Sequence, residues 1–424
     1  MYGWLDRRIL GPALLWLALW ASINSGPWVL ETLPETPSGC IHFARALTPL
    51  VVLAIALFAV AKGRRPVGLP GPLKYWAAYA VIGLAGCTRA IDPLTSAYWI
   101  AAYLATLGAL VLFLRSGDPL VRAIQLNQLS WLATALTLLV LLVAARNALF
   151  AETSTGVTAY GISNRLPEVA GMAMSIASGM GRFAGVTGIV AFAAAWYTAG
   201  PKRLLALAIC LGSGLMVYWM QSRGAIFAFF FACMALLWLF EVRSRLLAFA
   251  LAALAVLTVA LDMLPQSLLA HIARGQSHAQ LVSLTGRTRA WENGWEAAME
   301  SPLIGWGGQA DRWLIGEHVH NAYFYALLQS GIPGAVLFIA GWLVSLWLLL
   351  CIFRLSPFRV RDDILVLMQV TGVLIFFAIR SIPEVSGAMF SIDLLILTPA
   401  MAYVALACEK NRPSKPITPT VPRI

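Results

Sequence analysis

Apolar runs of about 18 or more residues recur from one end of this chain to the other. A bilayer core needs about 20 apolar residues to cross as a helix, and within hydrocarbon every backbone N–H and C=O must be satisfied inside the span. Runs of this kind admit one architecture, an all-α polytopic bundle of membrane-spanning helices. Composition agrees: of 424 residues, 60% are hydrophobic and 12% charged, about half the charge of a soluble domain. The short alternating segments of a β-barrel are not visible. Arg7 and Arg8 precede an apolar run without a convincing small-residue cleavage site, so that run reads as a first anchor helix. The six cysteines (40, 87, 210, 233, 351, 408) show no CxxC pair and lie mostly inside apolar runs. They read as small core residues, with neither a disulfide framework nor a metal site expected.

Hydropathy places about twelve membrane helices, near 9–25, 41–61, 73–88, 94–114, 123–145, 181–199, 204–220, 224–241, 246–264, 321–350, 364–381 and 391–408. Residues 1–408 thus form a single transmembrane helical domain. Alternate connections carry clustered basic residues, from Lys62, Arg64 and Arg65 to Lys410, Arg412, Lys415 and Arg423, and with Arg7, Arg8 and Lys74 they hold 19 of the 30 basic residues. The positive-inside rule puts these loops and both termini in the cytoplasm. The other 11 basic residues fall at the opposite ends of the helices and are all arginine, while all five lysines are cytoplasmic. Rigid, planar, bidentate donors that stay charged suit phosphate recognition. Arg45, Arg89 and Arg312 read instead as helix caps or interfacial anchors.

Two segments on that outer side are long enough to fold on the surface. Residues 146–180 are small, polar and Gly/Met-rich and read as a mobile periplasmic cover. Within 265–320, Thr288–Glu300 reads as an amphipathic helix with Trp291, Trp295 and Met299 at i, i+4 and i+8, closed by Ser301-Pro302 and followed by a turn at Gly305, Gly307 and Gly308. It is expected to lie along the membrane surface and pack on the bundle. The basic, Pro-rich tail 409–424 is expected to be a disordered cytoplasmic segment.

Three outer elements carry candidate chemistry. Arg223 sits in Gln221-Ser222-Arg223-Gly224-Ala225, between two spans, with small neighbours that let a ligand approach. Arg287 and Arg289 open the surface helix, where exposed N–H donors and the helix dipole add positive character. His318, His320 and Asn321 stand where a polar loop meets the tenth span, and imidazole is the side chain able to act as a base near neutral pH. Together these offer an anion site beside a base. Each has a plainer reading: an arginine at a helix end is an anchor, Arg287 pairs with Glu292 or Glu296, and His320 is a hydrogen-bonded interface residue.

His320-Asn321, nine residues, Gly331, two residues, Gly334 resembles the H-[NSQ]-x9-G-x-x-[GTY] signature of O-antigen ligases and their relatives, the O-antigen polymerases and protein O-oligosaccharyltransferases. Ser222-Arg223-Gly224, Arg287-x-x-x-Trp291 and Ser301-Pro302-Leu303-Ile304-Gly305-Trp306-Gly307 also look like landmarks of that superfamily, in its order. The resemblance implies a glycosyltransferase C-like membrane enzyme of the Gram-negative inner membrane. Its donor would be an O-antigen glycan on undecaprenyl diphosphate, met at the periplasmic face, and its acceptor lipid A–core. Beside substrates and membrane lipid no partner is expected, and no nucleic acid. His320 would be the catalytic base, with Arg223 and Arg287 neutralising the pyrophosphate without metal or cofactor. Arg289, Asn321, His318 and Trp291 would contact pyrophosphate or sugar.

The clean histidine signature and the lack of a large C-terminal periplasmic extension favour a ligase over a polymerase or a protein transferase. A transporter or flippase is the rival from another class, since intramembrane charge also marks transport paths. Against it, the spans hold little core charge, no repeated broken helices and no acidic proton relay.

Overall fold

In the computed structural model, residues 7–31, 33–63, 68–149, 177–220, 222–240, 287–355 and 361–411 are described. Among these all regular elements are helical. The helices are α1 (Arg7–Ser22), α2 (Pro37–Lys62), α3 (Gly71–Gly86), α4 (Pro93–Leu114), α5 (Pro119–Leu149), α6 (Ala177–Tyr197), α7 (Pro201–Trp219), α8 (Arg223–Phe240), α9 (Arg287–Glu300), α10 (Ala310–Leu314), α11 (Ala322–Leu355), α12 (Arg361–Arg380) and α13 (Ile392–Lys410). Eight described helices are long and apolar enough to cross a membrane, and Arg8–Ser22 and Ile364–Arg380 are shorter apolar helices. Each expected span meets a helix except 246–264, which lies outside the described residues. Residues 150–176, 265–286 and 412–424 lie outside them too, so the expected cover and most of the expected tail are not described.

The helices pack around α13. Of its membrane-length window 89% is buried, against 17% for α7, which turns Leu204, Leu205, Leu211 and Leu215 outward. With no water to hide from in lipid, outward leucines cost nothing and the buried helix is the one packed on several neighbours. The loop 381–391 leads into α13 and so enters the bundle near its centre.

The tenth span is not one straight helix. Ser330 (φ −136°, ψ 15°) and Gly331 (φ 64°, ψ −171°) break α11. The backbone groups freed there need partners at membrane depth, and the turn Ser301–Gly308 supplies them. Trp306 N–H donates to Leu328 O (2.8 Å), Gly307 N–H to Gln329 O (2.9 Å), and Ile332 N–H to Pro302 O (2.7 Å). This close backbone approach explains the glycine signature. A Cβ on Gly331 would stand 2.6 Å from Pro302 O, and one on Gly305 2.5 Å from Gln329 C. Trp306 Nε1–H also donates to Ala297 O (2.7 Å), tying the turn to the end of α9.

α9 lies on this platform, in a register one residue away from the expected one. Ala290, Gly294 and Ala298 face the bundle, and Trp291 packs beside them, while Trp295 and Met299 are exposed. Small residues let the helix backbone come close: a Cβ on Gly294 would already be 3.5 Å from Val319 Cγ2. A Trp295 or Met299 stripe on that face would hold the helix off. Of the three arginines read as caps or anchors, Arg45 donates to Ala21 O and Ile23 O at 2.7 and 2.9 Å, Arg89 lies 4.9 Å over the Trp306 ring, and Arg312 contacts His318.

Candidate active site

His320 sits two residues before α11 with φ +47°, a left-handed backbone that few non-glycine residues adopt. Asn321 caps the helix. Its Oδ1 accepts from Tyr323 N–H (2.9 Å) and Phe324 N–H (3.0 Å), and its Nδ2–H donates to Ile382 O (3.0 Å). A cap of this type satisfies N–H groups that the first helical turn leaves without partners. Asn321 therefore spends both ends of its amide on protein, joining α11 to the loop 381–391, and Ala322 N–H adds a bond to Ser381 O (3.0 Å).

That loop is the hub of the site. It is held from below by Tyr79, whose hydroxyl donates to Ala388 O (2.7 Å), and Tyr103, whose hydroxyl donates to Gly387 O (3.1 Å). It presents Glu384. One carboxylate oxygen, Oε1, faces Arg287 Nη2 at 3.6 Å, and the other, Oε2, faces His320 Nδ1 at 3.5 Å. Burial alone would raise the Glu384 carboxyl. The His320 ring, with Arg380 and Arg287, outweighs that and holds it at about 2, so it is a carboxylate at any physiological pH. Arg287 thus pairs across the site, with Glu384.

The same loop meets the first of the three expected elements. Arg223 is the first residue of α8, and Gly224 follows against Pro383, whose Cγ would lie 3.0 Å from a Cβ built on Gly224. Arg287 and His320, from separate stretches of sequence, therefore meet at Glu384, and the start of α8, which carries Arg223, packs against the adjacent Pro383. The remaining candidates lie around them. Arg289 is exposed on α9. His318 Nδ1 bonds Asp311 Oδ2 (2.8 Å), its Nε2 contacts Arg312 Nη2, and its ring stands 5.7 Å from the His320 ring. Trp291 donates its indole N–H to Val319 O (2.8 Å) and stacks on Phe324, with centroids 6.0 Å apart.

Beneath the loop is a second carboxylate with two cations. Asp393 Oδ1 meets Arg182 Nη1 at 2.6 Å, and its Oδ2 meets Arg380 Nη1 at 3.0 Å and accepts from Ser386 Oγ–H at 2.6 Å. Asp393 and Arg380 are buried. Charges taken out of water need paired, hydrogen-bonded surroundings, and this cluster anchors the loop to α6, α12 and α13. Among the described residues no three His, Cys, Asp or Glu side chains stand where they could hold a metal ion. The cations at the site are guanidinium groups.

The stretch from α7 to the broken α11 carries Arg223, Arg287, Trp291, His320 and both signature glycines. Residues 206–339 match the O-antigen ligase family. This match supports a place for the chain in the O-antigen ligase/polymerase superfamily, as the histidine signature implied. No curated protein matches it. Glu384, Asp393, Arg380 and Arg182 lie outside the matched stretch. Sequence reasoning missed Glu384 and Asp393, having looked for carboxylates in clusters; it counted Arg182 and Arg380 among the outer arginines without singling them out. The available signals were an acidic residue in a short loop after Arg380 and an aspartate inside a span, which is by default a functional-site hypothesis.

Proposed function

We propose that this protein is an O-antigen ligase, a glycosyltransferase C-like enzyme of about twelve spans in the inner membrane of a Gram-negative bacterium. It moves a glycan from undecaprenyl diphosphate to lipid A–core in lipopolysaccharide biosynthesis. The basic loops place both termini in the cytoplasm and the site at the periplasmic face. The observation that carries the reading is the single carboxylate, Glu384, shared between an arginine and a histidine.

With Nδ1 turned to Glu384, the neutral His320 ring keeps its proton there and offers Nε2 as the acceptor. Nε2 takes the proton of an acceptor sugar hydroxyl as that oxygen attacks the anomeric carbon. The bond from that carbon to the diphosphate oxygen breaks, and undecaprenyl diphosphate leaves with the electron pair. In-line attack inverts an α-linked sugar phosphate to a β-glycoside. Arg223 and Arg287 stabilise the charge that develops on the leaving group, the role a metal ion plays elsewhere, and Arg289 adds to that field. Asn321 holds the loop that carries Glu384, and His318, whose ring nitrogens meet Asp311 and Arg312, is the weaker alternative base.

The test is complementation of a strain lacking O-antigen ligase, read as the lipopolysaccharide ladder on a gel. A restored ladder is expected. Lengthening of lipid-linked polymer without attachment to core would mean a polymerase instead, and a glycosylated pilin a protein oligosaccharyltransferase. Export of the lipid-linked glycan with no transfer would mean a flippase.

A further inference from the structure

His320 holds a left-handed backbone that persists only where the surroundings over-determine it. The preceding peptide shows what does so. Val319 is fully buried, and both its backbone groups are taken by side chains: its N–H donates to Asp311 Oδ2 (3.3 Å), and its carbonyl accepts the Trp291 indole N–H (2.8 Å). After His320 the chain is fixed again by the Asn321 cap. His320 is the one residue left between two anchored peptides.

Both anchors are specific. Asp311 is fully buried, and its carboxylate is satisfied by Val319 N–H, by His318 Nδ1 and by Arg312 N–H (3.0 Å). A buried carboxylate is expensive to keep unless such bonds are made, and two of its three partners lie in 318–319. Trp291 touches the chain on either side of His320, through Val319 O before it and the Phe324 ring after it. Trp291 also stands four residues from Arg287, one turn on, so both share a face of α9. One rigid helix therefore carries the guanidinium that faces Glu384 and the indole that holds the histidine facing the same carboxylate.

We infer that Trp291 and Asp311 are positioning residues for His320, and that the Arg287-x-x-x-Trp291 spacing sets the separation between phosphate clamp and base. This rests on His320 acting as the base. Trp291 acts through the peptide it holds, and its ring is not a sugar platform.

The test uses the full-length protein with Trp291→Phe, which keeps an aromatic ring beside Phe324 and removes the N–H together with part of the indole. Transfer from a lipid-linked glycan is expected to lose about tenfold in kcat, the size of one hydrogen bond, with donor KM changed less than about twofold. In a His320→Ala background the same substitution should cost nothing further. A readout independent of turnover is carbethoxylation of His320 by diethylpyrocarbonate, followed by mass spectrometry. Trp291→Phe and Asp311→Asn should each speed it several-fold relative to His42, and Trp295→Phe, on the exposed face, should not. Wild-type kcat together with wild-type carbethoxylation in Trp291→Phe would overturn the inference. So would a loss confined to donor KM, or one additive with His320→Ala. If His320→Ala itself kept full activity while Trp291→Phe still loosened His320, the base assignment would fail and the positioning would stand.

Discussion

Gly331→Ala should disable this protein although it lies eleven residues from His320. At φ 64°, ψ −171°, Gly331 occupies backbone that is essentially open to glycine alone, and forcing another residue there costs about 1–3 kcal/mol. The new Cβ would lie 2.6 Å from Pro302 O and 2.7 Å from Leu303 C, both backbone atoms that cannot swing aside. Relief requires the turn Ser301–Gly308 to move off α11, which threatens the three backbone hydrogen bonds to Leu328 O, Gln329 O and Pro302 O, each worth about 1 kcal/mol. The two costs together come to about 4–6 kcal/mol, enough to lower the thermal midpoint by roughly 10 °C. The assay is the melting of detergent-purified protein, followed by size-exclusion chromatography of heated samples. Gly212→Ala is the control: no atom lies within 4 Å of its Cβ, so its midpoint should hold or rise slightly. If Gly331→Ala melted with Gly212→Ala, the broken helix would not be the platform on which α9 rests.

Glu384→Gln should lower transfer about 10- to 100-fold, read as initial rates, because it removes the charge facing both His320 and Arg287. It should also change the acid response. The Glu384 carboxyl sits at about 2 in the folded protein against an ordinary 4.5. Its contribution, at most about 3 kcal/mol, is therefore fully present above pH 4.5 and lost as pH falls toward 2. Thermal midpoints of the wild type should drop across that window more steeply than those of Glu384→Gln; parallel curves would contradict the ion-pair account. Asp393→Asn leaves Arg182 and Arg380 without the carboxylate they share, and removing one partner of a buried ion pair costs about 3–5 kcal/mol. The yield of monodisperse protein should fall sharply, and a normal yield would show that the cluster does not anchor the loop.

The membrane bundle was legible because each span repeats one physical demand, an apolar run long enough to cross. The break in α11 was not, since Ser330-Gly331 lies inside a continuous apolar run and hydropathy carries no φ angle. The signature spacing of Gly331 and Gly334 showed that something was required there; the turn packed against Gly331 shows what. Of the site, the histidine and the arginines stood out because charge is rare in such a chain. Glu384 did not, because a lone acid in a loop has no pattern of its own and matters only once folding brings His320 and Arg287 to it. The face of α9 was misjudged because large apolar residues draw the eye, while close packing against α11 selects Ala290, Gly294 and Ala298.

The central claim is that one histidine and fixed arginines perform a glycosyl transfer. The most direct measurement is the rate at which purified protein moves a glycan from undecaprenyl diphosphate to lipid A–core in excess EDTA, comparing wild type with His320→Ala. The wild type should work undiminished in EDTA, and His320→Ala should fall by about 100-fold or more. Wild-type rates from His320→Ala, or a strict need for a divalent metal, would contradict it.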